Sequence, residues 1–274
     1  MLRSFKNILI PVDFTLATEI AVQKSLELID PVNSSVYLLH VSPTKSAKKN
    51  VGNGTIAQLL KYKTIIDEAF PGLLVQMSVV RCKNIQDAVA EKAEEIKPDL
   101  IIIAKNSNRK WFSFNKTIDP GKLATKTHCA TLVIKPGSVK NKIQSIVIPV
   151  ISRVPARKLD MLIPLAARKK ATVFLLSMMS EATGFDDSST SHALIETYRL
   201  LKGEVNCQVY HKIISGNNIA RAALQFAKKV DADILLVNPE ESKVSSFARL
   251  DITDMLMRDS KLQVLAVDPY AKNN

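Results

Sequence analysis

The sequence predicts an α/β chain made of two tandem doubly wound domains, each a five-stranded parallel sheet alternating with helices. Three observations predict it. Short, near-continuously apolar runs alternate with stretches of helical spacing along the whole chain. Runs of roughly four to eight apolar residues bounded by turn chemistry suit strands buried on both faces, and their alternation with helices implies right-handed crossovers in a parallel sheet. The pattern also restarts: Lys6–Phe14 reads K-N-I-L-I-P-V-D-F and Gln144–Ser152 reads Q-S-I-V-I-P-V-I-S. Later elements keep the register, with V-Y-L-L-H-V at 36–41 over V-F-L-L-S-M at 173–178 and Asp99-Leu100-Ile101-Ile102 over Asp233-Ile234-Leu235-Leu236. The offset drifts only from 138 to 133 residues, which marks an internal duplication.

Taken in order, the apolar run in Lys6–Phe14 that climbs to Pro11 and Val12 is the first strand, and Thr15 caps a helix to about Leu28, with Ile20, Ala21, Ser25 and Leu26 on one face. Val36–Val41 is a second strand. Lys45–Thr55 is a polar loop, and Ile56–Phe70 has helical spacing. Val75–Val80 is the third strand. Asn84 caps a helix that ends near Pro98, and Leu100–Ala104 is the fourth strand. Lys105–Asp119 is a polar loop, Pro120–Thr127 a helix and Thr131–Lys135 the fifth strand. Pro136–Lys142 is a compact linker, dividing the chain into 1–139 and 140–274. The second half repeats the order: strand Ile146–Val150, helix Val154–Arg168 with Pro155 in its first turn, strand Thr172–Met178, an acidic Ser/Thr-rich loop Ser180–Ser191, helix His192–Lys202, strand Val205–Ile213, helix Asn218–Lys229, strand Asp233–Val237, helix Ser245–Arg258 and strand Gln263–Val267.

Composition narrows the function classes. The chain has 274 residues, 46% hydrophobic and 23% charged, a globular balance. Its net charge of +12 is spread over both halves with no basic tail, and only 5% of residues are aromatic. Spread charge reads as a solvated surface, and scarce aromatics offer few stacking platforms, so nucleic acid is not the expected partner. Cys82, Cys129 and Cys207 share no short spacing, which excludes a disulfide framework or zinc site. The opening M-L-R-S-F-K-N runs straight into a strand, and no apolar run approaches a membrane span. A reducing cytoplasm is the expected location.

The residues I-L-I-P-V-D-F at 8–14, L-L-H-V at 38–41, D-L-I-I-I at 99–103 and C-A-T-L-V-I at 129–134 resemble the universal stress protein family. The resemblance covers both halves. It implies small adenosine-binding-type α/β domains of strand order 3-2-1-4-5, and a pocket at the ends of the first, second and fourth strands. Many members bind ATP, through an acid after strand 1, a valine after strand 2 and a glycine-rich phosphate loop, G-x2-G-x9-G-[ST], after strand 4. Glycines let backbone N–H groups close on phosphate oxygens, and the next helix offers its N-terminus.

Carried onto this chain, the resemblance gives a divided answer. Pro11, Val12, Asp13 and Val41 supply the base and ribose side, with Ala104, Lys105 and Asn106 beside them. The glycine positions fall on Ala104, Ser107 and Thr117-Ile118, so side chains stand where the backbone needs to approach phosphate. In the second half the acid is Ile151, and the loop positions fall on Asn238, Glu241 and Phe247. The expected protein is therefore a non-catalytic universal stress protein acting through protein contacts in a stress response, with lost or weakened ATP binding and no required cofactor. Self-association through the last strands is expected, as a homodimer or, within one tandem chain, as an internal pseudo-dimer. Two alternatives remain: a sensor holding ATP or AMP beside Asp13, and a weak hydrolase or transferase acting on adenylated substrates.

No G-x-S-x-G, H-E-x-x-H or Walker lysine motif occurs, and the four histidines show no metal-ligand spacing. His40 reads as a packed or capping residue, and Cys129 as a buried thiol.

Overall fold

The computed structural model describes residues 4–43, 53–104, 118–138, 142–151, 153–179, 188–215, 219–239 and 260–270. The anticipated helix at Ser245–Arg258 and most of the loops at 45–55, 105–119 and 180–191 lie outside them. Among the described residues, ten strands form one sheet. In the first half these are β1 (Asn7–Val12), β2 (Ser35–Pro43), β3 (Leu74–Cys82), β4 (Leu100–Ala104) and β5 (Ala130–Ile134). In the second they are β6 (Ser145–Pro149), β7 (Thr172–Met179), β8 (Val209–Ser215), β9 (Ile234–Val237) and β10 (Gln263–Ala266). Their spatial order is β3-β2-β1-β4-β5-β10-β9-β6-β7-β8. The first half is thus 3-2-1-4-5, and the second is its mirror in sequence along the sheet. Every pairing within a half is parallel, and the halves join by an antiparallel pairing of β5 with β10, Leu132 opposite Leu265. This is the last-strand pairing expected from the sequence, made within one chain.

Helices α1 (Leu16–Ser25), α2 (Asn53–Ala69), α5 (Ala156–Lys169) and α6 (Ser188–Glu204) contribute buried residues to one face of the sheet; α3 (Ile85–Ile96), α4 (Pro120–Thr127) and α7 (Ile219–Lys229) do so on the other. Strand residues alternate between the two layers. Ile8, Ile10, Leu100 and Ile146 pack with α1 and α5, while Leu9, Ile101, Val133 and Val147 pack with α3, α4 and α7. Burial on both faces is why the strands read as unbroken apolar runs.

The duplication extends to hydrogen bonding. Asp99 Oδ2 accepts the N–H groups of Lys6 (2.7 Å) and Asn7 (2.9 Å), pinning the start of β1 to β4. Asp233 Oδ2 does the same for β6, accepting from Gln144 N (2.9 Å), Ser145 N (3.0 Å) and Ser145 Oγ (3.0 Å). These charge-assisted bonds satisfy backbone donors that precede the ladder.

Several boundaries differ from the sequence expectation: helix α2 starts at Asn53, inside the loop expected at 45–55, and Pro155, expected in the first turn of α5, is its N-cap residue. Helix α1 stops at Ser25, whose hydroxyl donates to Val22 O (2.6 Å), and the chain tightens through Glu27 N→Lys24 O and Leu28 N→Ser25 O, an i to i+3 pattern. Helix α6 begins at Ser188, not His192: the Ser/Thr run is its first turn, with Thr190 buried. Strand β8 starts at Val209 because Val205, though buried, bonds back to Leu201 O at the helix end.

Candidate functional site

The carboxyl ends of β1, β2 and β4 diverge around a crevice at the point where the strand order reverses from β1 to β4. Open α/β sheets bind ligands there. Pro11, Val12, Asp13, Val41 and Ala104, five of the seven residues singled out from the sequence, line it together. Lys105 and Asn106 lie outside the described residues. Sequence reasoning did not select Thr18, Leu39, His40, Ile85 and Ile103, which complete the lining together with Ile118 of the expected loop. Thr18 is one helical turn beyond the Thr15 cap, so its approach to Asp13 was legible in spacing; the inward turn of Ile85 and Ile118 was not. Between its described walls the crevice is small, about 60 Å³, well below the roughly 300–1,000 Å³ of formed small-molecule sites.

Asp13 is first a turn former. Its Oδ1 accepts three hydrogen bonds, from Thr15 N (3.2 Å), Thr15 Oγ1 (2.6 Å) and Thr18 Oγ1. Its own N–H donates to Thr18 Oγ1 (3.3 Å). The bond to Thr15 N spans Phe14, which is held at φ 60°, a left-handed conformation uncommon for a bulky residue. Phe14 is secured from the other side by ring contacts with His40 (centroids 4.3 Å apart) and Tyr62 (6.4 Å). His40 Nδ1 pairs with Val12 O at 2.9 Å and therefore carries the proton, so His40 fastens the end of β2 to the end of β1. Burial, followed by the charges of Asp13 and Glu19, pushes the Tyr62 phenol up to about 12.

The far side of the crevice is the approach to α4. Ile118 is buried in the crevice wall, at one of the positions where the phosphate loop requires glycine or a small hydroxyl residue. Asp119 follows as the N-cap of α4. Its Oδ1 accepts from Lys122 N (3.0 Å), and its own N–H donates to Gln86 Oε1 (3.0 Å) on α3. Pro120 occupies the first turn and brings no N–H. The helix end that could receive an anion thus holds a carboxylate of the chain itself. Gly121 is a packing glycine: a Cβ there would sit 3.3 Å from Pro239 Cβ of the second half. Its close approach couples α4 to the chain after β9. A second tie, His128 Nδ1 to Asp268 Oδ2 at 2.6 Å, joins the C-terminal end of α4 to the chain after β10.

In the second half, Ile151 stands where Asp13 does, bridged to Arg153, whose guanidinium lies 5.4 Å from the Tyr270 ring centroid. Asn238 is described, but Glu241 and Phe247, like Ser107 and Thr117 of the first half, are not. Cys129 is buried and its thiol donates to Pro98 O (3.0 Å); burial pushes its ionisation far up, so it is a packed thiol. Among the described residues no cluster of His, Cys, Asp and Glu could hold a metal ion, and no helix is long and apolar enough to cross a membrane.

Comparison with known proteins agrees with this architecture. Residues 4–135 match the family model described as the universal stress protein family. Among solved structures, the chain is similar to a universal stress protein from Archaeoglobus fulgidus (12% identity, 97% of each chain covered, TM-score 0.68). It is also similar to a functionally unknown protein from Pseudomonas aeruginosa (14% identity, 97% of this chain and 93% of that one, TM-score 0.64). A third is the cytoplasmic domain of a prokaryotic cation chloride cotransporter (15% identity, 98% of each chain, TM-score 0.59). At these identities the likeness is one of fold. No curated protein sequence matches the chain.

Proposed function

Since residues 4–135 match the universal stress protein family model, we propose that this protein is a non-catalytic, cytoplasmic member of that family that acts in a stress response through protein contacts, with ATP binding lost or weakened. The observation that carries the reading is the start of α4. Its N-terminus is capped by Asp119, its first turn contains Pro120, and Ile118 fills the adjoining wall. A triphosphate needs free N–H donors at that place, and meets a cap that Asp119 already fills by accepting from Lys122 N. The β5–β10 pairing supports an internal pseudo-dimer, since it uses up the last strands through which family members commonly associate.

Calorimetry of ATP against the full chain tests the reading. The expected result is no saturable heat at micromolar ATP; micromolar affinity that depends on Asp13 would sink it. A second reading, an adenine-nucleotide sensor, is favoured by one observation: Asp13 and Val41 do share a single crevice. The same titration with AMP separates the two.

A further inference from the structure

We propose that β3, one of the two outer strands of the sheet, pairs antiparallel with β3 of a second copy of this chain about a two-fold axis at Ser78, so that the sheet continues from one molecule into the next. The inference goes beyond the reading above and does not depend on whether ATP binds.

Among the described residues the sheet ends at β3 on one side and β8 on the other. β3 runs for nine residues without a proline, and its one charge, Arg81, lies next to its end. Outer strands of such length are ordinarily kept from other chains by a lysine, a proline or a bulge. The backbone is turned outward as well. Ser35 N donates to Lys6 O, so Ser35 faces β1, and alternate residues of β2 from Val36 face β3. By the same alternation Gln76 and Ser78 bond inward to β2. Val75, Met77 and Val79 turn their N–H and C=O groups to the open side, where no strand follows among the described residues.

The distribution of charge selects a second copy as the occupant. A strand laid antiparallel on itself in full register turns about its middle residue. For β3 that residue is Ser78: Met77 falls opposite Val79 of the second copy, Gln76 opposite Val80 and Arg81 opposite Val75, so no like charges face each other. Outward-turned residues then oppose one another, the arrangement in which a pair exchanges both N–H···O bonds. The side chains agree. Val75, Met77 and Val79 are half-buried against the core on the α2 side, and the same residues of the second copy close their exposed flank. The axis also brings a second α2 to the same side of the sheet, where α2, packed on β3, exposes Ile56 and Leu60 one turn apart. β8, the third strand of the other half, fails the same operation. Its middle residue is Lys212, which full register sets against itself. The β3 pairing repeats at the rim of the sheet the antiparallel step that β5 and β10 make at its centre. The net charge of +12 opposes the approach of two copies, but salt screens such repulsion beyond about 8 Å at physiological ionic strength. The pairing therefore tightens as salt is added.

Sedimentation equilibrium of the full chain tests this. The expected mass at about 100 μM protein is twice that of the 30.3 kDa chain, with a dissociation constant of about 10 μM that falls between about 0.1 M and about 0.5 M salt. Ser78→Lys, which gives β3 the central lysine that β8 has, weakens the dimer about tenfold. Val79→Pro removes an outward N–H and leaves the bonds to β2 in place, and weakens it at least as much. Tyr210→Asp on β8 leaves it unchanged. Hydrogen exchange read by NMR shows the Met77 and Val79 amides becoming protected as the protein concentration rises. A chain that stays monomeric at about 100 μM in both salts overturns the proposal and leaves the loss of ATP binding untouched. So does a dimer that Tyr210→Asp dissociates while Ser78→Lys and Val79→Pro do not, since the contact then lies elsewhere. Protection of Met77 and Val79 that is independent of concentration also overturns it, because the chain's own residues then cover the strand.

Discussion

Asp13 decides whether the crevice rim is organised by the chain or by a ligand, and Asp13→Ala in ligand-free protein tells them apart. The substitution removes the acceptor of three hydrogen bonds. Two of the donors belong to Thr15, which is partly exposed and can turn to water. The third belongs to Thr18, which is only 3% exposed. Its hydroxyl is left without that acceptor, at a cost of about 1–3 kcal/mol, and hydrogen bonds to a charged group contribute about 1.5–3 kcal/mol each without adding fully. The left-handed Phe14 also loses the bond that spans it, so about 1 kcal/mol of backbone strain is no longer held. The expected loss is about 2–4 kcal/mol. Asp13→Asn, which keeps an acceptor at Oδ1, should lose about 1 kcal/mol. Urea unfolding followed by circular dichroism gives both values from the shift in midpoint at constant slope. If Asp13→Ala unfolds within about 0.5 kcal/mol of the unsubstituted chain, the turn does not depend on Asp13, and its place there would have to be explained by a ligand.

The twin aspartates should be unequal: Asp99→Ala is expected to cost about 2 kcal/mol and Asp233→Ala about 3, because Asp233 also holds Ser145 Oγ and lies 3.4 Å from Lys261 Nζ; chemical denaturation in which Asp99→Ala proves the more costly would contradict this. Tyr62 ionises at about 12 in the folded chain, against about 10 unfolded. The folded state therefore retains a proton that the unfolded state releases. Stability from this source is complete below pH 10 and falls by up to about 2.7 kcal/mol as pH rises toward 12, a slope that Tyr62→Phe should remove in pH-dependent denaturation. Leu265→Asp places a charge in the centre of the sheet, 1% exposed and opposite Leu132, and is expected to cost more than about 3 kcal/mol, whereas Tyr210→Asp on the edge strand β8, at 51% exposed, should cost less than about 1; equal effects would mean that β5 and β10 are not a shared core. Titration of thiols with a chromogenic disulfide should label Cys82 and Cys207 in the native protein and Cys129 only after unfolding.

The legible part of the fold followed from periodicity. Strands buried on both faces must be apolar at every position, so Ile8-Leu9-Ile10 and Ile146-Val147-Ile148 announced themselves twice, and Asn84 and Thr15 announced helix starts because their side chains can accept from the first turn. Boundaries set by competing local bonds were less legible. Nothing in the composition of Ser188–Ser191 separates a loop from a helical first turn until Thr190 has a core to enter. In the site, Asp13 was legible as an acid closing a buried strand, and Val41 and the loop position at Ile118 through a resemblance, while Ile85 was missed because a single apolar residue near a helix start does not reveal which wall it turns toward.

The sequence alone determined the duplication, the alternation of strand and helix, and the absence of glycine from the phosphate-loop positions, since each of these is a property of order along the chain. Tertiary structure decided what those facts amount to. It showed Asp13 tied to Thr15 and Thr18, Gly121 pressed against Pro239 rather than open to a ligand, and Asp119 holding the end of α4. It also joined β5 to β10, residues 131 to 133 against 264 to 266, which makes two similar halves one sheet. The physical reason is the same throughout: a side chain's chemistry is written in its type, but the partner that consumes or frees that chemistry is chosen by the fold, often from more than a hundred residues away, as with His128 and Asp268 at a separation of 140.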